Sequence, residues 1–464
     1  MDITKYKHIT INSKKVKEGS IFVSINSNIK HITEAIKNKA SLIISNKKLN
    51  LPVENIVAKN IKYYYTYLYK KINNLDINNF KIIAITGTDG KTTTAKMIYG
   101  VISSRYDAIY IGTLGIISKS LTIKTKNTTP DIETIYETLL YAKENKIKYI
   151  ILEASSEGIL DKRLLGIKLD VMIFTNLTHE HLNTHKNMTE YFNCKKKLLK
   201  LLKKDGVLIT NIEDKYGELL ANSKSVNYGL HKGNISTNFI KLFKDKTALI
   251  INHKNKNSYI EIPFVGIYNI YNFLACYACI NHLFNIRLFD FSTLKKVAGR
   301  FINLYDKVII DFAHTPNALE NLLLTIKNIY DKKIILLLGS QGGKDKSKRK
   351  LLGMIADKYC DKIILTSEDP KDEPVIQIIS DIATGILNKE YYVSLFRKEG
   401  IDLMFSILKE DTIGVIVGKG LEDVENIKGV LYNHSDYLYA QKKLSEINHL
   451  IPNASLANLS AKSL

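Results

Sequence analysis

Residues 81–100, KIIAITGTDGKTTTAKMIYG, constrain the fold more than any other part of the chain. The apolar run Ile82-Ile83-Ala84-Ile85 reads as a buried strand, and apolar Ala95, Met97 and Ile98 at helical spacing read as the start of a helix. Between them lies Thr86-Gly87-Thr88-Asp89-Gly90-Lys91-Thr92-Thr93. A strand, a glycine-bounded loop and a helix N-terminus form a phosphate cradle. Glycines let backbone N–H groups close around phosphate oxygens, the helix end adds partial positive charge, and a lysine neutralises the rest. A hydroxyl directly after that lysine can ligand Mg²⁺. Two residues separate Gly87 from Gly90, whereas the common P-loop has four. The stretch therefore predicts a nucleotide site of a variant type, with ATP as the expected ligand.

A chain of 464 residues has room for two to four domains, each with its own core. Hydrophobic residues make up 45%, ordinary for a globular protein. No apolar run approaches the roughly 18 residues needed to span a bilayer. The start, MDITKYKHIT, lacks the apolar segment of a signal peptide, so a cytoplasmic protein is expected. The formal charge of +21 invites a nucleic-acid reading. Its lysines, however, are scattered beside Ile, Asn and Tyr, with no basic block and no aromatic-basic motif, which reads as compositional bias on solvated faces. No nucleic-acid partner is expected; anionic small substrates also suit such a charge. Four cysteines make no disulfide framework, and the single C-x-x-C, Cys276 and Cys279, lies in an apolar helical pattern that favours packing over zinc or redox chemistry.

In chain order, residues 1–80 read as a small α/β unit, with strand-like runs around 21–23, 41–44 and 55–57 and helix-like stretches at 32–39 and 63–73. Residues 81–300 alternate strands (82–86, 149–153, 171–175, 207–210) with helices (92–104, 131–145, 189–204), the pattern of a mainly parallel sheet covered by helices. Residues 229–262 read as a more antiparallel insertion. Residues 301–464 restart the alternation, with strands at 307–311, 333–338, 362–366 and 412–417 and helices at 316–329, 348–358 and 375–386. The predicted fold is α/β in three domains: a small N-terminal α/β domain, a central P-loop-type ATPase domain and a Rossmann-like C-terminal domain. The final PNASLANLSAKSL is expected to be a loose tail.

Parallel sheets place ligand groups at strand ends. Glu153 ends one predicted strand and precedes Ala154-Ser155-Ser156; in a chain with a phosphate loop it is a natural Mg²⁺ ligand or a group behind one, as against an ordinary solvated acid. After the next strand comes Thr178-His179-Glu180-His181-Leu182-Asn183-Thr184-His185. Three histidines suggest zinc, but no cysteine accompanies them and the spacing is not the helical i, i+4 pair, so this cluster decides nothing alone.

Taken together, these motifs resemble those of the Mur ligases, ATP-dependent enzymes that add amino acids to UDP-N-acetylmuramoyl peptides, and are most similar to the members that add the third residue. The similarity runs from about Asn12 to Asp436. Residues 87–93 resemble the family's G-T-N-G-K-T-T loop, with Asp89 in place of Asn. Thr128-Thr129-Pro130-Asp131, Glu153-Ala154-Ser155-Ser156, Phe174-Thr175-Asn176-Leu177-Thr178, His181-Leu182, and Tyr191-Phe192 ahead of Lys195 follow. Asn269 with Asn272, Gly299-Arg300, Asp311-Phe312-Ala313-His314-Thr315-Pro316 and Gly418-Lys419-Gly420 complete the set.

The resemblance implies a role for each. Gly87, Thr88, Asp89, Gly90, Lys91, Thr92 and Thr93 would hold ATP phosphates, together with Asn176, Asn269, Asn272, Arg300, Asp311 and His314 around the nucleotide. Asn269 and Asn272 would meet adenine, Arg300 the γ-phosphate and Asp311 the ribose. Two Mg²⁺ ions are implied, with Thr92, Glu153, His181 and a carbamylated Lys195 as ligands; Lys91, Lys195, His181 and Arg300 would be catalytic. Thr128, Thr129, Ser155, Asp161 and Arg163 would hold the UDP-N-acetylmuramoyl dipeptide, and Ser13 resembles a uridine-binding serine. Lys344, Glu368, Asp369, Pro370, Lys371, Gly418 and Glu422 would form the amino-acid pocket of a monomeric enzyme. A substrate carboxylate would attack the γ-phosphorus, and the resulting acyl phosphate would be taken by the incoming amine.

Several positions depart from the family pattern. Glu157 stands for a usual His, Asp161 for a Gln, and Leu421 for the His of G-K-G-H-E. Lys344 replaces the arginine of G-G-D-R, and Glu368-Asp369-Pro370-Lys371 replaces D-N-P-R. Lysine keeps the charge but loses the two-pronged grip on a carboxylate. Meso-diaminopimelate is the expected amino acid, with L-lysine the alternative. A folylpolyglutamate-synthase-like ligase shares the central domain but begins near its phosphate loop, which the N-terminal unit here argues against. A non-catalytic nucleotide- or RNA-binding protein is the rival from another class.

Overall fold

A computed structural model describes residues 5–180 and 184–448; His181 and the last sixteen residues, with the tail expected there, lie outside them. Strands and helices are numbered along the chain. The first sheet is all parallel, in the order β1 (Ile9–Thr10), β2 (Ile21–Val23), β3 (Leu42–Ser45), β4 (Glu54–Val57). Helices α1 (Ile29–Lys37) and α2 (Ile61–Ile72) cover it. Tyr65 and Tyr69 of α2 pack edge to face with Tyr136, joining this layer to the next domain. Such ring pairs contribute about 0.5–1.5 kcal/mol beyond the area they bury.

The large sheet begins with β5 (Lys81–Thr86), whose run of Ile and Ala is buried on both faces, as parallel strands under helices require. Helix α3 (Lys91–Ser103) follows the phosphate loop. Next come β6 (Ala108–Gly112), β7 (Gly115–Ile117), β8 (Thr122–Ile123), α4 (Ile132–Glu144), β9 (Tyr149–Glu153), α5 (Ser156–Leu160) and β10 (Leu169–Phe174). Then follow α6 (Met188–Lys196), β11 (Leu202–Asn211), α7 (Lys215–Leu220), β12 (Val226–Tyr228), β13 (Ile235–Leu242), β14 (Thr247–His253), β15 (Lys256–Ile262) and α8 (Ile267–Leu283). The spatial order is β15-β14-β13-β12-β11-β10-β5-β9-β6-β7-β8. From β13 to β6 the pairing is parallel, and both ends finish in antiparallel strands. The β5 edge shared with β9 and β10 is the crevice where a parallel sheet binds ligands.

The third sheet has the order β16 (Ile302–Leu304), β17 (Val308–Asp311), β21 (Thr412–Val417), β18 (Lys333–Leu338), β19 (Lys362–Leu365), β20 (Tyr391–Val393), parallel except for β16. Helices α9 (Pro316–Ile329), α10 (Ser347–Tyr359), α11 (Val375–Ala383), α12 (Arg397–Ile407) and α13 (Asp436–Asn448) pack against it, and β22 (Val424–Ile427) and β23 (Val430–Asn433) form a hairpin. Thr315 caps α9 by accepting from the Ala318 N–H at 3.1 Å, with Pro316 at the first helical position, where its missing N–H costs nothing.

One sequence expectation needs correction. The helix expected over 189–204 stops at Lys196, passes through a 3₁₀ segment, Lys197–Leu201, and gives way to β11. The leucine–lysine repeat there fits a helix, but Leu202 pairs with Leu169 of β10, and sheet pairing overrides propensity. The antiparallel character expected at 229–262 is present: β13 pairs antiparallel with β14 and β14 with β15, while β13 also extends the large sheet by pairing with β12. Cys276 and Cys279 are buried free thiols inside α8, which is apolar on nearly all sides and buried accordingly.

Candidate active site

Gly87 and Gly90 lie at φ +153° and +82°. A Cβ on Gly87 would stand 1.9 Å from Thr175 Oγ1, and one on Gly90 would stand 2.2 Å from Asn272 Oδ1. Both positions therefore require glycine for space as well as conformation. Asn176, just beyond β10, holds the loop from below. Its Oδ1 accepts from the Asp89 N–H at 2.9 Å and its carbonyl accepts from the Thr88 N–H at 3.0 Å. Lys91 Nζ donates back into its own loop, to the carbonyls of Thr88 (2.7 Å) and Gly87 (3.0 Å). Burial lowers its pKa, with Glu153 and Asp89 opposing.

Glu153 ends β9 fully buried. Its Oε2 accepts from Thr92 Oγ1 at 2.9 Å and from Thr113 Oγ1 at 3.2 Å; its Oε1 accepts from the Thr113 N–H at 3.1 Å and from the Tyr110 hydroxyl. A buried carboxylate beside two threonine hydroxyls is an all-oxygen donor set, the kind a hard divalent cation such as Mg²⁺ takes. Lys195, on α6, is 1% exposed and donates to the Gly87 carbonyl at 2.8 Å, with its ammonium 4.5 Å from the centre of the Tyr191 ring. Burial holds its pKa well below the ordinary value, and neighbouring Lys91 lowers it further.

Next to Glu153 the expected peptide-binding residues come together. Thr129 Oγ1 donates to the Glu153 carbonyl (2.8 Å) and lies 3.1 Å from Ser155 Oγ. Thr128 Oγ1 is 3.0 Å from Thr113 Oγ1, and Arg163 donates to the Thr129 carbonyl (2.7 Å) and to Asp161 (2.8 Å). Ser13 stands apart: buried in the small domain, it donates to Glu34 at 2.5 Å. That domain meets α4 through Lys15–Glu137 at 2.7 Å and the Ile11 N–H to Glu133 at 3.3 Å.

On the side expected to hold the nucleotide, Asn272 donates to Asn269 (3.2 Å), which donates to the Val265 carbonyl (2.8 Å). Thr93, Asn269 and Arg300 share a narrow cleft lined by Phe264 and Phe301. The Arg300 guanidinium stacks 4.5 Å from the Phe312 ring centre. Asp311 accepts from the N–H groups of Phe301 and Ala313, each at 2.7 Å, while burial raises its pKa against the pull of Arg300. His314 Nδ1 lies 2.9 Å from the Phe312 carbonyl, so that nitrogen carries the proton. Burial and Lys348 push its pKa down to about 3, leaving the ring neutral.

The phosphate loop, Thr128, Ser155, Asn272, Arg300, Asp311, His314, Lys344 and Glu422 line one cavity of about 630 Å³. The amino-acid set is brought together only in part. Glu368, Asp369, Pro370, Lys371 and Gly418 do not line that cavity. Asp369 is engaged by Lys419 Nζ (2.9 Å) and the Asn426 N–H (2.9 Å), and Lys419 also reaches Glu422 at 3.3 Å. Glu368 packs so closely on Gly418 that a Cβ there would be 2.1 Å from its Oε2; burial pushes its carboxyl up to about 7. Lys371 adopts φ +52° and bridges to Ile427 of the hairpin.

Sequence reasoning missed Tyr110 and Thr113, on a strand and turn it did not recognise, and Lys348, taken only as a helix residue. Lys348 Nζ meets Glu180 at 3.1 Å in a nearly fully buried ion pair between the second and third domains, and His179 Nε2 lies 2.8 Å from Ser347 Oγ beside it. Burial raises the Glu180 pKa, Lys348 opposing.

A three-layered α/β chain with a phosphate loop, a buried Mg²⁺-suited carboxylate and a cavity between two nucleotide-fold domains defines an ATP-dependent ligase. Two family models match: the Mur ligase middle domain over residues 85–280, and the Mur ligase glutamate ligase domain over residues 299–420. The chain is 30% identical to the UDP-N-acetylmuramoyl-L-alanyl-D-glutamate–2,6-diaminopimelate ligase of Fusobacterium nucleatum, across 95% of this chain and 94% of the relative. It is 33% identical to the protein of that name from Aquifex aeolicus, across 94% and 92%. A solved structure of an enzyme with the same name superposes with a TM-score of 0.67 at 25% identity, covering 96% of each chain. The chain belongs to the Mur ligase family, the ATP-dependent ligases of peptidoglycan precursor synthesis.

Proposed function

We propose that this enzyme adds the third amino acid, meso-diaminopimelate, to UDP-N-acetylmuramoyl-L-alanyl-D-glutamate at the expense of ATP. The observation that carries the proposal is the meeting, in one cavity, of the phosphate loop with Thr128 and Ser155 on one side and Lys344 and Glu422 on the other. The names of the relatives, matched over more than nine-tenths of this chain, supply the substrates.

In this reading the loop N–H groups, Lys91 and Arg300 hold the triphosphate, and Asn269, Asn272 and Asp311 hold the nucleoside. Thr92 and Glu153 would hold Mg²⁺, which supplies charge neutralisation for phosphoryl transfer between two anions. Arg163, Thr129 and Ser155 orient the muramoyl peptide so that its terminal carboxylate faces the triphosphate. That carboxylate takes the γ-phosphoryl group, with ADP leaving, and the amino group of the incoming amino acid then displaces phosphate and gives up a proton to form the amide. Closure of the second and third domains around the cavity excludes water from the acyl phosphate. Lys195 serves as a carbamate. A lysine must be neutral to add CO₂, and the burial that depresses its pKa supports this role. A carbamate there would replace a cation beside Lys91 with oxygen donors, which, with His181 of the family motif, would hold a second Mg²⁺ and supply further charge neutralisation.

L-Lysine is the second reading. Lys344 lacks the fork that grips a distal carboxylate, and Asp369, where the family has Asn, lies outside the cavity lining and holds Lys419, which would otherwise be free to serve a carboxylate, in an ion pair at 2.9 Å. The enzyme is taken as cytoplasmic and monomeric on its resemblance to the family; among the described residues no helix is long and apolar enough to cross a membrane. Phosphate release measured with ATP, Mg²⁺ and each amino acid, with and without the UDP-muramoyl dipeptide, tests the proposal. Release that does not depend on the dipeptide defeats it.

A further inference from the structure

Asp89 is a carboxylate inside a loop that must surround polyphosphate, and its surroundings say what makes that tolerable. Its backbone is fixed within the second domain: the N–H donates to Asn176, and the carbonyl accepts from Thr175 Oγ1 at 2.7 Å. Its side chain turns toward the third domain. Thr315 Oγ1 donates to Oδ1 at 3.0 Å, and Asn317 Nδ2 donates to Oδ2 at 3.1 Å, both from residues more than two hundred positions away. Thr178 Oγ1 adds a longer contact at 3.3 Å from the loop's own domain. Thr315 is the cap of α9, a fourteen-residue helix with no acidic residue in its first turn, so the carboxylate sits at the positive end of a helix dipole. An asparagine here, as in the family loop, carries no charge and needs no such shield.

We propose that Asp89 is a positioning residue that makes nucleotide binding conditional on docking of the third domain. Undocked, its carboxylate faces the phosphate site with Thr178 Oγ1 as its side-chain hydrogen-bond donor and the charges of Lys91 and Lys195 farther off, and it repels the anionic ligand. Docked, the α9 cap, Asn317 and the helix dipole neutralise it, and the loop becomes a complete anion site. By linkage, nucleotide in the loop favours the docked domain by the same factor. This coupling rests on the ATP reading of the loop. The Glu180–Lys348 pair, with Lys348 on α10, ties the same two domains together.

The test is a double-mutant cycle on the full chain, with Asp89→Asn, Asn317→Ala and the pair. Binding of a non-hydrolysable ATP analogue with Mg²⁺ is followed by calorimetry, and amide exchange at the first turn of α9 is followed without nucleotide. Asp89→Asn should tighten binding about fivefold; Asn317→Ala should weaken it about fivefold alone, but by less than twofold in the Asp89→Asn background. Both single variants should speed exchange in the α9 turn. Equal effects of Asn317→Ala in the two backgrounds mean that Asn317 touches the nucleotide directly and overturn the coupling, as does weaker binding by Asp89→Asn. A wild-type chain that binds no nucleotide overturns the ATP reading and the coupling with it, whereas unchanged α9 exchange overturns the clamp alone.

Discussion

Lys91 and Lys195 donate to one and the same acceptor, the Gly87 carbonyl, at 3.0 and 2.8 Å. Burial lowers the pKa of each lysine, and Lys91 lowers that of Lys195 further, as two ammonium groups on one oxygen repel each other. The repulsion is relieved if one of them stops being a cation, and Lys195, the more deeply buried, is the one that carbamylation would convert to an anion. Lys195→Ala should then reduce turnover by more than about a hundredfold, the scale of losing a metal's immediate environment. Acetate or propionate at tens of millimolar should restore part of it by supplying the missing oxygens. Steady-state phosphate release with and without the added acid checks this, and full activity in Lys195→Ala removes the lysine from the site.

Glu153 depends on its neighbours for orientation. Tyr110 and Thr113 occupy Oε1, leaving Oε2 turned toward Thr92. Tyr110→Phe should raise the Mg²⁺ concentration for half-maximal activity about tenfold while leaving turnover at saturating Mg²⁺ close to wild type, the usual effect of losing a group behind a metal ligand. Glu153→Gln should lose activity at every Mg²⁺ concentration. A magnesium titration of both variants separates orientation from ligation.

The strands at 149–153, 333–338 and 412–417 were legible to the residue because apolar runs ended at charged or glycine punctuation. The phosphate loop was legible because its chemistry needs a fixed local order of residues. What escaped was set by tertiary contact. Residues 202–206 carry a helical pattern yet start a strand because β10 offers an edge, and β16, β20 and the β22–β23 hairpin are too short to show a period. Glu180 and Lys348 are 168 residues apart, and no local pattern announces that they meet. The amino-acid motif at 368–371 was legible as a motif, but not that Asp369 would be spent on Lys419.

Glu368 gives stability a pH dependence of known sign. Burial lifts its carboxyl from the ordinary 4.5 to about 7, so the folded state holds this proton more tightly than the unfolded state does. The contribution is whole below pH 4.5 and is lost as pH rises through 7, amounting to on the order of 3 kcal/mol. Glu368→Gln, neutral throughout, should lack this loss. Urea unfolding at pH 5 and pH 8 should therefore show a smaller decline for the variant than for wild type, and parallel declines would place the ionised carboxylate in the folded chain.

The amino-acid pocket allows one sharp comparison. Meso-diaminopimelate presents a distal ammonium and a distal carboxylate, and L-lysine presents the ammonium alone. Lys344 lines the cavity, while Lys371 stands outside its lining, tied by its backbone to the hairpin. Either lysine can reach a distal carboxylate only as a point charge, and one such charge-assisted contact is worth about 1.5–3 kcal/mol, or roughly 10- to 100-fold in discrimination. Lys344→Ala should raise the KM for meso-diaminopimelate within that range and leave the KM for L-lysine nearly unchanged; Lys371→Ala should have the smaller effect. Glu422, held by Lys419 at 3.3 Å, faces the same cavity and is placed for the ammonium, so Glu422→Gln should weaken both amino acids alike. Initial rates for the two amino acids across the three variants decide between the substrates. Better turnover with L-lysine in the wild type, or equal loss for both in Lys344→Ala, assigns the pocket to the ammonium alone.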